Sequence, residues 1–82
     1  MVTVEVHFPA LNRSYEFSLS ETMPISVLID EMAEMISQSE RLPQAENKAS
    51  FILCDATENK ILKSSETLAQ YGIKTAAKLI LV

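Results

Sequence analysis

Two stretches near the start of the chain, VTVEVHF and RSYEFSL, alternate apolar and polar residues without a break. In the first, Val2, Val4, Val6 and Phe8 share one face, and Thr3, Glu5 and His7 the other. In the second, Tyr15, Phe17 and Leu19 oppose Ser14, Glu16 and Ser18. A period of two belongs to a strand with one buried and one wet face. PALN between them holds Pro9 and Asn12, residues suited to a turn, so the pair predicts a hairpin. The period then changes. Within ETMPISVLIDEMAEMISQ, Ile25, Leu28, Ile29, Met32 and Ile36 form one stripe at helical spacing, and Asp30, Glu31, Glu34 and Val27 point away from it. A hairpin with one apolar face and a helix with one apolar stripe bury both by packing on each other. Thr22 is the expected N-cap, Pro24 is tolerated in the first turn, and Glu21 lies at the end the helix dipole favours.

The polar stretch from Gln38 to Ala49 reads as a loop and SFILCD as a strand. ATEN reads as a turn, and KILK as a short edge strand guarded by a lysine at each end. SSETLAQYGI reads as one helical turn stopped at Gly72, and AKLILV as the last strand. The order predicts an α+β fold: one mixed sheet of four to five strands with one main helix on one face.

With 82 residues, the chain is expected to form one domain over residues 1–82, and 48% hydrophobic content supplies a core. A net charge of −4 leaves no electrostatic footprint for phosphate backbones, so nucleic acid is not an expected partner. No apolar run approaches the ~20 residues of a membrane span, and the alternation from Val2 onward is not that of a signal peptide. Cys54 is the only cysteine, which fits a reducing, cytoplasmic setting.

The SETMPISVLIDEM helix start, the opening VTVEVHF strand and LAQYGI before a terminal strand together resemble ubiquitin-like β-grasp proteins over essentially the whole chain. More closely, the chain resembles the bacterial YukD/EsaB family associated with type VII secretion. The residues that carry this likeness are Pro24-Ile25 followed by Leu28-Ile29, and an L-x-x-[YC]-x-I segment formed by Leu68, Tyr71 and Ile73. The resemblance implies the sheet order 2-1-5-3-4, with first and last strands parallel. It also implies a non-catalytic interaction module, an accessory component of a type VII secretion system. Its partner would be a protein, such as a cytosolic domain of a membrane component of that system. One departure is local: many ubiquitin-like chains place Gly-Asp before the last strand, where this chain reads KTAAK.

Ubiquitin and the sulfur-carrier β-grasp proteins end in a flexible Gly-Gly. This sequence ends LILV, with β-branched Val82 last, so conjugation through this terminus is not expected. The alternatives are a modifier or sulfur carrier with its tail absent from the sequence, and a non-catalytic subunit of a multicomponent enzyme. No catalytic residue, cofactor or metal is expected. Cys54 lies far in sequence from the sole His7 and beside Asp55, whose charge disfavours a thiolate. His7 has no second histidine or spaced cysteines to complete a metal site. Asp30, Glu31 and Glu34 on a helix face make no calcium loop. Met32 and Met35 read as core filling.

One surface stands out. If Phe51 and Leu53 face the core, Ile52 and Cys54 face out; if Leu79 and Leu81 face the core, Lys78, Ile80 and Val82 face out. With the two strands adjacent, as the resemblance implies, Ile52 and Ile80 would sit side by side. The expected protein-binding residues are therefore Ile52, Cys54, Lys78, Ile80 and Val82.

Overall fold

A computed structural model describes residues 1–39 and 51–82. The hairpin forms as its alternation dictates: β1 (Val2–Phe8) pairs antiparallel with β2 (Arg13–Leu19), from Val2 opposite Leu19 to Phe8 opposite Arg13. A 3-10 turn, Pro9–Leu11, joins them, and Asn12 closes it at φ 50°, a left-handed conformation that asparagine tolerates. The helix α1 runs Ile25–Ser39 and buries the predicted stripe of Ile25, Leu28, Ile29, Met32 and Ile36. Gln38 and Ser39 belong to α1, and residues 40–49 of the expected loop lie outside the described residues.

The remaining strands are β3 (Leu53–Asp55), β4 (Lys60–Leu62) and β5 (Lys78–Leu81). The five strands form one sheet in the order β2-β1-β5-β3-β4, with β5 parallel to β1 and antiparallel to β3. This is the order the resemblance implied. The strand expected over SFILCD is shorter than its apolar run, but Ile52 and Val82 exchange both backbone hydrogen bonds, at 2.6 and 2.9 Å, which carries the pairing one step further.

The core lies between α1 and one sheet face. Val4, Val6, Leu53, Leu79 and Leu81 supply its floor, Ile25, Leu28 and Met32 its roof, and Leu68 and Ile73 close one end. Asp55 is also buried on this side, and its Oδ1 accepts the amides of Thr57 and Glu58 at 2.9 and 3.4 Å. That arrangement fixes the β3–β4 turn, so the carboxylate leaves the face that Cys54 occupies.

The start of α1 corrects the expected cap. The Thr22 hydroxyl bonds Ser20, not a helix amide. The amides of Ile25 and Ser26 instead donate to the carbonyls of Glu66 and Ser64 at 2.8 and 3.0 Å, and Pro24 forms a bridge with Thr67. Backbone from far along the chain thus satisfies the orphan donors of the helix. Pro24 precedes the helix, its carbonyl accepting the Val27 and Leu28 amides. The first turn of α1 holds no acidic residue, so Glu21 is not at the dipole; its carbonyl receives the Ala69 amide. Met35, expected in the core, is 49% exposed because it falls off the stripe.

The segment that caps α1 is itself held. Thr67 and Gln70 bond reciprocally, side chain to backbone amide, as in a capping box, and Gly72 ends the 3-10 turn Ala69–Tyr71 at φ 69°. The Tyr71 hydroxyl accepts the Lys63 amide at 2.9 Å, and the Lys60 ammonium lies 5.8 Å from the Tyr71 ring centre. In KTAAK, the Ala77 amide donates to the Lys74 carbonyl, and Ala76 takes φ 76°. This directs the Ala76 amide to the Thr3 carbonyl at 2.8 Å, just before β5 pairs with β1.

Two expectations follow. Leu28→Ala removes a fully buried side chain and should cost about 2–5 kcal/mol, several times the cost of Val27→Ala beside it. Urea unfolding of both variants checks this, and equal losses would mean that the buried stripe is displaced. Ala76→Gly removes a left-handed alanine and should raise the thermal midpoint by about 2–5 °C, since the strain relieved exceeds the added unfolded-state freedom. A lowered midpoint would contradict the strain at Ala76.

Candidate functional site

The sheet face opposite α1 carries the side chains that alternation sends away from the core. On β3, β5 and the residues that extend their pairing these are Ile52, Cys54, Lys78, Ile80 and Val82, the expected set. Leu53, Leu79 and Leu81 beside them are at most 1% exposed, so the register is the one expected. Ile52 is 44% exposed and Val82 50%, while Cys54 and Ile80 are half-buried by their neighbours.

The pairing differs in detail. Cys54 is opposite Ile80, and Ile52 is opposite Val82, so Ile52 and Ile80 are diagonal neighbours rather than directly side by side. A diagonal on an antiparallel pair spans about 7–8 Å between backbones, still within reach of aliphatic side chains. The four residues form one compact square.

A sixth residue belongs to the surface. Ile61 on β4 lies directly opposite Cys54 and, at 64%, is more exposed than Ile52. Its signal was present in KILK: once Leu62 is inward, Ile61 must be outward. One row therefore crosses four strands: His7, Ile80, Cys54 and Ile61.

The face has two halves. Over β5, β3 and β4 it is aliphatic, with Lys78 at one border. Over β1 and β2 it is polar, with Thr3, Glu5, His7, Ser14, Glu16 and Ser18. Thr3 and Ser18 share a hydrogen bond of 3.2 Å, and His7 Nδ1 and Ser14 Oγ one of 3.1 Å. His7 is separated from Cys54 by the whole of β5, about 10 Å at the usual strand spacing, and its ring is turned to Ser14. The two groups are not brought together as base and thiol. Among the described residues, no three metal-binding side chains converge. Asp30, Glu31 and Glu34 are exposed on α1, which lies on the other side of the sheet. The geometry offers contact: an apolar surface beside polar groups, on a face that no described element covers.

Exposure makes a simple check. Ile52→Lys and Ile61→Lys should each stay folded and shift stability by less than about 1 kcal/mol, whereas Leu53→Lys between them should abolish the cooperative transition. Circular dichroism melts decide it, and unfolding of either isoleucine variant would place that residue in the core.

Comparison with known proteins gives both family and fold. The family model described as "WXG100 protein secretion system (Wss), protein YukD" matches residues 1–81. No curated protein matches. Among solved structures, the ubiquitin-like domain of EccD5 from Mycobacterium xenopi is 19% identical with a TM-score of 0.76, over 99% of this chain and 91% of its own. The N-terminal ubiquitin-like domain of the 4931431F19Rik protein is 23% identical with a TM-score of 0.68, over 99% of this chain and 72% of its own. The ubiquitin-like domain of the Arabidopsis thaliana protein At2g32350 is 21% identical with a TM-score of 0.69, over 99% and 74%. At these identities the structural likeness speaks to fold alone: the chain has a ubiquitin-like fold.

Proposed function

The chain belongs to the YukD family of the WXG100, or type VII, secretion system, and from that membership we propose that it works by docking a protein partner on its open sheet face, without catalysis. The residues assigned to the contact are Ile52, Cys54, Lys78, Ile80 and Val82, with Ile61 added. The observation that carries the reading is the aliphatic half of the face, where Ile52, Ile61 and Val82 stay 44–64% exposed in a small sheet. The part of each side chain left in water forgoes roughly half of the ~1.5–3 kcal/mol that full burial of an aliphatic side chain is worth, which a partner can recover. Clustered on adjacent strands beside polar residues, they have the anatomy of a protein interface with an apolar centre.

The proposed partner is a cytosolic domain of a membrane component of the secretion system, and the proposed setting is the cytoplasm. No helix among the described residues is long and apolar enough to cross a membrane, so attachment through a partner fits better than insertion. The distance between His7 and Cys54 and the turn-bound Asp55 favour contact over chemistry as the role of this face.

The test is a titration of the parent and of Ile52→Lys/Ile61→Lys against the purified cytosolic domains of the system's membrane components. At least one domain should bind the parent, and the double variant should bind it at least a hundredfold more weakly. Each lysine must be desolvated in the contact at about 2 kcal/mol or more. Undiminished affinity in a folded double variant would exclude this face.

A further inference from the structure

The outward side of the β1–β2 hairpin has three central cross-strand pairs. Thr3 with Ser18 and His7 with Ser14 are complementary, each joined by a hydrogen bond. The pair between them is Glu5 opposite Glu16. Like charges directly opposite on a sheet repel. Both residues are exposed, and among the described residues neither takes part in an ion pair within 4 Å. Lys78 is the parallel neighbour of Glu5 on β5 but is not closed onto it as such a pair. The middle row of this hairpin face is thus the one that sets like charges opposite each other.

That place adjoins the aliphatic half of the face. Glu5 is next to β5, and its row is two residues from the row of His7, Ile80, Cys54 and Ile61, about 7 Å along the strands. A partner side chain seated between the two carboxylates would thus lie one or two strands from an apolar group resting on Ile80. Two facing carboxylates attract a cation, and a guanidinium, planar with five donors, bonds both at once.

We propose that Glu5 and Glu16 are the seat for a basic side chain, an arginine or lysine, of the partner that covers Ile52, Ile61, Ile80 and Val82. The inference rests on the sheet face being the docking surface and names the chemistry of its occupant: an apolar segment carrying a positive charge. Binding relieves the repulsion within the hairpin, so the charge adds discrimination that aliphatic contact lacks. Acidic or neutral segments of the same shape are rejected, since they leave the two carboxylates facing each other under cover.

Two measurements test this. Glu16→Gln in the free protein should raise the thermal midpoint by about 1–5 °C, because it removes the repulsion. A lowered midpoint would show that Glu16 stabilises the free fold and would overturn the inference. Three leucine-rich nine-residue peptides, differing only in a central arginine, glutamine or glutamate, are then titrated into isotope-labelled protein. In the parent, the arginine peptide should bind at least tenfold more tightly than the glutamate peptide and shift the Glu5, Glu16 and Ile80 amides. In Glu16→Gln the ratio should fall to about threefold or less. Binding of all three with equal affinity, or an unchanged ratio in Glu16→Gln, would overturn the inference and leave the apolar docking face standing. If no peptide perturbs Ile52, Ile61 or Ile80, the docking face itself fails and the inference falls with it. Calcium chloride alone is the remaining arm, and saturable shifts at Glu5 and Glu16 would assign the pair to a metal ion, against the inference.

Discussion

Strand β5 is bonded on both sides, parallel to β1 and antiparallel to β3, and the rest of the fold depends on its register. Its residues decide which side of the sheet is core. With Leu79 and Leu81 under the helix, Ile80 and Val82 must be on the open side, and a shift of one residue would exchange them. The turn before β5 holds that register. Ala76 is placed at positive φ so that its amide meets Thr3, and Asp55 organises the turn that brings β4 beside β3. A parallel pair needs a long crossover, and here the crossover contains the helix whose stripe covers the sheet. The same pairing makes the hydrophobic core and exposes the candidate site.

What could be read in the residues was local and periodic. The alternation of β1 and β2 and the stripe of α1 are properties of short windows, and they survive because burial follows them residue by residue. The outward set on β3 and β5 was legible for the same reason. What escaped depends on partners distant in sequence. Thr22 is an ordinary N-cap residue, yet the helix begins three residues on at Ile25, and carbonyls near residue 65 hold its first amides. Ile52 meets Val82 rather than Ile80 because a pairing register is a property of two strands and their turn, which neither strand encodes alone. Ile61 was legible but unread, since its strand is three residues long and bounded by charge. Ala76 shows that a turn requiring positive φ can form without glycine when flanking hydrogen bonds impose it.

On the proposed reading, the open face lets a small module of this family be specific with little chemistry. Stability comes from one side of the sheet, so the other is free to carry residues that do not help the free protein. Ile61 and Val82 stay largely exposed, and Glu5 is set opposite Glu16, a pair of like charges. Residues of this kind are tolerated because the core built on β1 and β5 carries the domain, and under the proposal they become favourable in contact with a partner.

The seven isoleucines separate core from contact in a single measurement. Ile25, Ile29, Ile36 and Ile73 are buried under the helix side, whereas Ile52, Ile61 and Ile80 are on the open face. Methyl spectra of isoleucine-labelled protein, free and bound to the proposed partner, a cytosolic domain of a membrane component of the secretion system, test the central claim directly. The account predicts that the signals of Ile52, Ile61 and Ile80 move on binding while the four core methyls keep their positions. Stationary signals for those three, with shifts confined to Ile29 and Ile36 on the helix, would contradict it.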